Sequence, residues 1–530
     1  MTDSLEDAAD LKLAAAERAK RREARRNRLA TACQAERANR RCEVVTFYGG
    51  ARERLVSYDV LRDVRLVHAP EEALANFGGD ADNFEWPRHA ADYSFLRAYT
   101  APDGTARAFD RANVPYHPDV FLGLALDGYR DGTFVMILGY PARTDRFLPA
   151  ALLAGEVERE LPAQLDVIRS ATHVLARHAG AGGDVRLHLA DRLENVSNTE
   201  KALSGRLEGL LRVDAVKARR AQERELAAWI AADPARSAKD GGLLPSIERL
   251  AAAAARGAAR RQAMRALQRI PQSMTWAAEL AERSLEREKP DDERRPGFHD
   301  REDAAFEAEV LEDPTVLVPA AEEDLLSELV RRALALPKTE RIDAVDRRAL
   351  GRTGSPGEVA RAIAHDLVAG TRIGDPAART AYAAMKPGAL AASPDPLVAF
   401  ACELLRQARP FEERREREVT APLDDAVRRY TRLRLDWRGA DLYPDANGTE
   451  RFTWGEVSGY MPYPRGSRRG DLDLREARRE PGGRAGPDAG ARGRRPGARG
   501  AVALRAHHDG RAGQGRARLG RATAAPALRP

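Results

Sequence analysis

The hydrophobic pattern of the chain changes its period twice, and this limits the folds open to it. From Cys42 to about residue 140, short β-branched and aromatic runs alternate with Gly, Asp and Pro, which predicts strands. From about Ala150 to Thr431, apolar residues recur at three- and four-residue spacing, which predicts helices. Strand-like runs return after residue 432. This order indicates an α+β chain in which a helical domain is inserted into a β domain.

The close spacing of the predicted strands favours antiparallel sheets or a barrel. Residues 1–40 predict one helix, because Ala and Leu alternate with charged residues and neither Gly nor Pro occurs. Its basic run favours a solvated helix face over contact with an acidic partner. The predicted strands are residues 43–48, 54–60, 64–68, 92–99, 121–125, 133–139, 433–435 and 453–460. Helix breaks are expected at Pro162, Pro234, Pro245, Pro290, Pro314 and Pro394, and an exposed loop at 288–296.

Residues 465–530 differ in composition from the rest of the chain. They contain 17 Arg, no Lys and six acidic residues, whereas the whole chain carries +6, so the other residues are mildly acidic. The segment lacks Phe, Tyr, Trp and Ile and predicts disorder, because it can bury little apolar area. Its Arg, Ala, Gly and Pro have GC-rich codons, so we interpret it as an out-of-frame tail. The alternative is an Arg/Gly-rich nucleic-acid-binding tail.

The three cysteines, Cys33, Cys42 and Cys402, give neither a disulfide framework nor a zinc spacing. We interpret each as a small buried residue or a spectator thiol, although Cys33 and Cys42 could pair in an oxidising compartment. The ten histidines are scattered and no HExxH motif occurs, so we expect no metal and no cofactor. No apolar run approaches the roughly 20 residues that a membrane-spanning helix needs, and the charged N-terminus shows no signal-peptide pattern.

The densest group of unusual residues lies between Phe77 and Ser94, in the run FGGDADNFEWPRHAADYS. Two glycines allow a tight loop with positive φ. Carboxylates, an amide, aromatic rings and an Arg-His pair follow before a strand, and loops on a β scaffold commonly carry binding or catalytic groups. The residues alone leave two readings open, a ligand site or a capped turn with Trp86 in the core.

This run resembles the S46 peptidases, the bacterial dipeptidyl-peptidases 7 and 11, whose pattern is close to FGGDxDNWxWPRHxxDFS. The similarity continues at RCEVVTFY, DVRLV, GYP and YPDAN and covers about residues 40–464. It implies a partial chymotrypsin-like double β-barrel with a large inserted all-α domain. The implied division is a helix at 1–40, barrel at 41–149 and 432–464, the helical insert at 150–431, and a disordered tail at 465–530.

The resemblance implies a serine dipeptidyl-peptidase, a hydrolase that releases N-terminal dipeptides from peptide substrates. Asp92 would complete a Ser-His-Asp triad by accepting a hydrogen bond from the imidazole Nδ1–H; the residues alone favour a strand or turn cap.

Asn83 and Phe84 would bind the substrate's terminal ammonium, with Phe84 standing where the family usually has Trp. Asn198 is the best match for a second Asn from the helical domain, although a surface helix position also fits it. Arg88 and Trp86 would support the loop, and contact with the substrate backbone is the alternative for Arg88.

The family's histidine and serine segments, Thr-Asn-His-His-Cys and Gly-Asn-Ser-Gly-Ser-Pro, have no counterpart in this sequence. We therefore expect an inactive fragment that is truncated at both flanks of the catalytic domain. A non-enzymatic helical interaction or nucleic-acid-binding protein, using the basic tail, is the alternative. The resemblance further implies a homodimer and a periplasmic or secreted location. The choice between acidic and hydrophobic residues at the cleavage site is not determined by the residues present.

Overall fold

A computed structural model describes residues 10, 12–85, 88–439, 442–459 and 502–506 of the chain. The chain divides into two compact units. One comprises Met1–Tyr116 and Asp145–Trp437, and the other His117–Thr144 and Arg438–Pro530. No helix in the described ranges has the length and apolar character needed to cross a membrane.

The first unit begins with a helix and two small antiparallel sheets. Strands β1 and β2 pair with Arg40 opposite Asp59, and β3, β4 and β5 form a second sheet in that order. Four predicted strands are thus confirmed to within a few residues, as is their antiparallel pairing, although β4 begins only at Phe95. The elements are α1 (Ala15–Ala35), β1 (Arg40–Phe47), β2 (Arg52–Asp59), β3 (Asp63–His68), α2 (Glu72–Ala75), α3 (Gly79–Asp82), β4 (Phe95–Thr100) and β5 (Val114–Pro115).

The second unit contains an antiparallel sheet of β6 (Phe134–Gly139), β7 (Arg451–Gly459) and β8 (Val502–Ala506). The strands predicted at 133–139 and 453–460 are confirmed for the described residues. The strand predicted at 121–125 is wrong, because these residues pair with no described strand and their apolar side chains are exposed. Disorder is also wrong for 502–506, which pair with β7; the rest of the 465–530 tail lies outside the described residues.

The helices that follow β6 all belong to the first unit. They are α4 (Ala150–Gly155), α5 (Leu161–Ala179), α6 (Gly183–Arg212), α7 (Ala215–Ala231), α8 (Pro234–Asp240), α9 (Leu243–Ala255), α10 (Ala258–Arg269), α11 (Gln272–Glu286), α12 (Asp303–Phe306), α13 (Pro319–Leu334), α14 (Asp343–Ala349), α15 (Pro356–Ala369), α16 (Pro376–Ala383), α17 (Pro387–Ala391), α18 (Pro396–Arg415) and α19 (Ala421–Arg438). Single π-helical turns occur at Glu156–Glu160, Glu307–Leu311 and Glu416–Thr420, and 3₁₀ turns at Asp291–Glu293, Asp300–Glu302 and Lys338–Glu340.

The described strands form three separate sheets, and the double barrel stays a prediction.

Several of the prolines predicted as helix breaks do lie at helix boundaries, but Pro162 and Pro245 lie inside helices. Pro162 follows the π-helical turn Glu156–Glu160, so the chain stays helical from α4 through α5 and the predicted break is wrong. Pro245 lies in the first turn of α9, where a missing N–H costs no intrahelical bond. The strand predicted at 433–435 is also wrong. These residues lie in α19, because Leu433 shares one buried helix face with Tyr430.

The apolar core of the first unit is helical. The largest cluster joins helices from α10 to α18 and includes Trp276, Leu326, Phe400 and Leu404, each at most 1% exposed. Full burial of such side chains contributes roughly 1.5–3 kcal/mol each. Smaller clusters form around Ile230 with Tyr430 and around Leu175 with Leu189. The helical core therefore does not depend on the sheets for its burial.

Helix α1 is fastened to the rest of the unit by covalent and polar contacts. Cys33 and Cys42 form a disulfide across a Cα separation of 6.1 Å, which joins α1 to β1. Our interpretation of these two residues as unpaired thiols is therefore wrong; Cys402 is a free, half-buried thiol as expected. Asn27 Nδ2 donates to Asp291 Oδ2 at 3.0 Å, so the segment predicted as an exposed loop at 288–296 contacts α1.

A buried ion pair anchors α6 to the helical core. Glu322 in α13 is 1% exposed and accepts from Arg192 Nη1, while Arg192 Nη2 donates to the Ile270 carbonyl oxygen at 2.8 Å. The same carboxylate accepts from the Ser273 backbone N–H at 2.9 Å, at the N-terminus of α11. A carboxylate there also interacts favourably with the helix dipole. Three helices therefore meet at one carboxylate.

We predict that Glu322→Gln lowers the free energy of unfolding by about 3–5 kcal/mol, because it leaves the Arg192 charge buried without its counterion. Urea-induced unfolding followed by circular dichroism measures the change. The control is Glu323→Gln, whose partner is the exposed His365 at 3.1 Å; exposed pairs contribute about 0–1 kcal/mol. Equal destabilisation by the two substitutions would contradict the anchoring role.

Candidate functional site

The segment of residues 76–93 forms a loop between β3 and β4, and we call it the glycine loop. The Ala91 N–H donates to the Leu74 carbonyl oxygen at 2.9 Å, which closes its base. Gly78 has φ +84°, and a Cβ there would lie 1.8 Å from Asp82 Oδ2, so any other residue would be strained and would displace the Asp82 side chain. Gly79 also has positive φ. The two glycines thus take the left-handed conformations that the sequence predicts.

Asn83 connects this loop to α6. Its Nδ2 donates to Asn198 Oδ1, and its Oδ1 accepts from Arg88 Nη1 at 3.0 Å. Arg88 Nη2 also donates to Asn76 Oδ1 at 3.4 Å. The structure therefore brings together Asn83, Arg88 and Asn198, three of the residues singled out from the sequence.

Lys201 forms a second connection that sequence reasoning missed. Its Nζ lies 3.2 Å from Asp80 Oδ1, donates to the Asp80 carbonyl oxygen, and reaches the Asn83 carbonyl oxygen at 3.4 Å. Asn198 and Lys201 are three residues apart and so share one face of α6. That spacing was the available signal, but the sequence does not show that the face meets Asp80. Together, Asn198 and Lys201 hold the glycine loop against the helix.

Phe84 lies next to this network in an unusual conformation. Its φ is +60°, which is uncommon for a bulky residue and costs on the order of 1–3 kcal/mol. Its side chain is 64% exposed. A strained, exposed aromatic beside two amides is suited to covering a ligand. Trp86, the other predicted aromatic of the loop, lies outside the described residues.

Asp92 is exposed at the end of the glycine loop, immediately before β4. It is not part of the Asn83 network, and it forms no hydrogen bond or ion pair with any described residue. Beside it, the rings of His68, Tyr93 and Phe95 contact one another with centroids 5.7–6.2 Å apart. The capping role that the residues alone favoured has no supporting contact in this part of the chain.

The chemistry of this group follows from its hydrogen-bond inventory. Each amide oxygen has two lone pairs, and the contacts above occupy one on Asn83 Oδ1 and one on Asn198 Oδ1. Two acceptor positions are therefore left for a ligand that donates. No group of three or more His, Cys, Asp or Glu side chains within the described ranges is arranged to hold a metal ion.

Comparison with known proteins identifies relatives of the chain. The family model described as Peptidase S46 matches residues 1–467. An Asp/Glu-specific dipeptidyl-peptidase of Shewanella putrefaciens is 28% identical over 431 residues, which are 80% of this chain and 57% of that protein. Dipeptidyl-peptidase 7 of Porphyromonas gingivalis is 33% identical over 211 residues, 40% of this chain and 30% of that protein.

Solved structures show the same likeness. DPP11 of Porphyromonas endodontalis, in complex with the dipeptide Arg-Glu, superposes with a TM-score of 0.63 at 25% identity, over 83% of this chain and 62% of that one. The chain spans less than two thirds of the length of these relatives: 57% and 58% for two Asp/Glu-specific dipeptidyl-peptidases.

We predict that Lys201→Met loosens the glycine loop, because the loop loses its contacts with the ammonium group. Amide hydrogen exchange over residues 78–85 should accelerate about threefold to tenfold, as expected for losing a net 0.5–1.5 kcal/mol of hydrogen bonding. Lys217→Met is the matched control, since Lys217 is an exposed helix residue that forms no hydrogen bond or ion pair with a described residue. Unchanged exchange in Lys201→Met would show that Lys201 does not hold the loop.

Proposed function

The chain belongs to the S46 peptidase family, and from this we propose that it provides the substrate-binding part of a serine dipeptidyl-peptidase. Such an enzyme releases dipeptides from the N-termini of peptides. The observation that carries the proposal is the contact of Asn83 with Asn198. In this contact the Asn83 Nδ2 donates to the Asn198 Oδ1, so the side-chain amides of the glycine loop and of α6 lie next to each other.

An amide pair of this kind suits a terminal ammonium group. An ammonium has three donors and no acceptor, so it needs oriented oxygens, and those of Asn83 and Asn198 each keep one lone pair. An N-terminal ammonium held at a fixed place sets the distance to the scissile bond, which is what limits an exopeptidase to dipeptide release. Phe84 would cover the bound end with its exposed ring.

Arg88 is proposed as a positioning residue. Its two terminal nitrogens donate to Asn83 and Asn76, so it orients the Asn83 oxygen rather than the substrate backbone. Trp86, which lies outside the described residues, is proposed to support the loop on the family resemblance alone. Asp92 is proposed as the acid of the triad, which would accept from an imidazole Nδ1–H and stabilise the imidazolium. Its exposed carboxylate, unpaired within the described chain, supports that role.

The relatives indicate the substrate class. One is an Asp/Glu-specific dipeptidyl-peptidase, and the DPP11 structure holds the dipeptide Arg-Glu. We therefore propose peptides with a free N-terminus as the substrates. The proposal includes a homodimer, on family likeness, and a periplasmic or secreted location. The Cys33–Cys42 disulfide supports that location, since such bonds persist in oxidising compartments.

Nucleic-acid binding by the 465–530 tail is the competing proposal. The structure describes the backbone of that tail only at 502–506, and the proposal rests on the tail's Arg-rich composition alone.

We predict that the chain binds the dipeptide Arg-Glu and discriminates against its N-acetylated form, which has no ammonium group. Asn198→Ala should weaken binding about tenfold or more, because a hydrogen bond to a charged group contributes roughly 1.5–3 kcal/mol. Titration followed by NMR measures the dissociation constants. The control is Asn195→Ala, an exposed position on the same helix. Equal binding of the acetylated and free dipeptides would rule out the proposed ammonium site.

We also predict that the 530-residue chain by itself hydrolyses no dipeptidyl substrate, because Asp92 is the one triad residue that the resemblance transfers to it. A fluorogenic dipeptidyl substrate measures the turnover. Activity that persists in Asp92→Ala would contradict both the inactivity and the role of Asp92.

A further inference from the structure

A cavity of about 400 Å³ lies among α11, α17 and α18, and none of its lining residues belongs to the glycine loop. Its volume falls in the range of small-molecule sites, roughly 300–1,000 Å³. The proposed peptidase function makes no use of it. A ligand in this cavity would therefore bind at a different place from the peptide.

The walls of this cavity are apolar. Ala281 and Leu405 are 1% and 4% exposed, and Ser284 donates its hydroxyl to the Ala281 carbonyl oxygen at 2.8 Å, so it offers no free donor. A Cβ added to Gly388 would meet no atom within 4 Å. The space beside α17 is thus open and lined by groups that favour hydrocarbon.

Two arginines, Arg406 and Arg409, line the cavity, and they differ in whether a carboxylate pairs with them. Arg409 donates to the buried Glu286 at 2.5 Å, a carboxylate that it shares with Lys289, and it lies 3.7 Å from Glu413. Arg406 also lines the cavity, and it forms no hydrogen bond or ion pair with a described residue. One guanidinium beside apolar walls is thus left for an external anion, and planar guanidinium groups bind carboxylates with paired hydrogen bonds.

Cys402 lines the same cavity and provides a reporter for it. It is the free thiol of a chain that has three cysteines, since Cys33 and Cys42 are paired. Burial raises the pKa of this thiol to about 11, and the nearby Arg406 charge acts in the opposite direction. Cys402 and Arg406 are four residues apart on α18, so they share one face of that helix and both line the cavity. A ligand held on Arg406 is therefore expected to shield the sulfur.

From this arrangement we propose that the cavity binds a small apolar carboxylate. Its hydrocarbon part lies against Ala281 and Leu405, and its carboxylate pairs with Arg406. A cation of the same length is disfavoured, because Glu286 and Glu413 are already engaged by Arg409 and the remaining charge is positive.

The test measures alkylation of Cys402 by iodoacetamide at one fixed pH, followed by intact mass spectrometry under non-reducing conditions. Octanoate should slow the reaction about fivefold at a concentration about four times its dissociation constant, because only unoccupied protein reacts. Octylammonium should have little effect. Cys402→Ser confirms that the label is on this residue.

Two variants locate the ligand. Gly388→Leu fills the open space, so it should slow alkylation without any ligand and remove the octanoate effect. Arg406→Gln, a surface change, should weaken octanoate about tenfold, in line with the loss of a charged hydrogen bond. Arg414→Gln on the same helix should behave like the unmodified chain. Equal protection by octanoate and octylammonium, no protection by octanoate, or undiminished protection in Arg406→Gln would each overturn the proposal.

Discussion

The buried ion pair of Arg192 and Glu322 fixes the helix on which the candidate site depends. Helix α6 is 30 residues long and Leu189 is its one buried residue, although Val185, Leu193 and Val196 also pack, partly buried, against the same cluster. Arg192 adds charged hydrogen bonds to Glu322 and the Ile270 carbonyl oxygen. Asn198 follows six residues later, about 9 Å along a rigid helix. Its position is therefore determined by an anchor in the helical core.

Two features bring the glycine loop against α6. One is the positive φ of Gly78, and the other is the charged contact of Lys201 with Asp80. A residue other than glycine at position 78 would be strained by the positive φ and would displace the Asp82 side chain. The loop then pays about 1–3 kcal/mol for the left-handed Phe84. The contacts of Asn83 with Asn198 and of Lys201 with Asp80 offset that cost. The strain and the contacts lie within a few residues of each other, which favours a preformed binding surface.

The sequence predicts those features that local chemistry determines. Strands such as β1 and β6 follow from β-branched runs, and the positive φ of Gly78 and Gly79 follows from the missing Cβ. The strand predicted at residues 433–435 was wrong. Alternating Leu and Arg gives a strand pattern there, whereas the buried face that includes Tyr430 has helical spacing. Lys201 was missed for another reason. It joins segments whose proximity arises only from the tertiary fold, as 121 residues separate it from Asp80. The disulfide spans only nine residues of sequence, and the sequence left its formation open because pairing depends on the redox compartment.

The glycine loop carries residues with two separate proposed roles. Asn83 is proposed to bind the substrate, and Asp92 is proposed to act in catalysis. In the proposed function, the amide oxygens of Asn83 and Asn198 bind a peptide's ammonium group, which keeps its charge throughout hydrolysis. Such contacts therefore stabilise substrate and transition state alike, and by themselves they do not lower the chemical barrier. Asp92 lies outside this network, and in the proposed mechanism it acts only through an imidazole that changes its charge during the reaction. A chain with the first group in place can thus hold a peptide end whether or not a nucleophile is present. In the proposed mechanism, the rate acceleration comes from the groups that engage Asp92 and the scissile carbonyl.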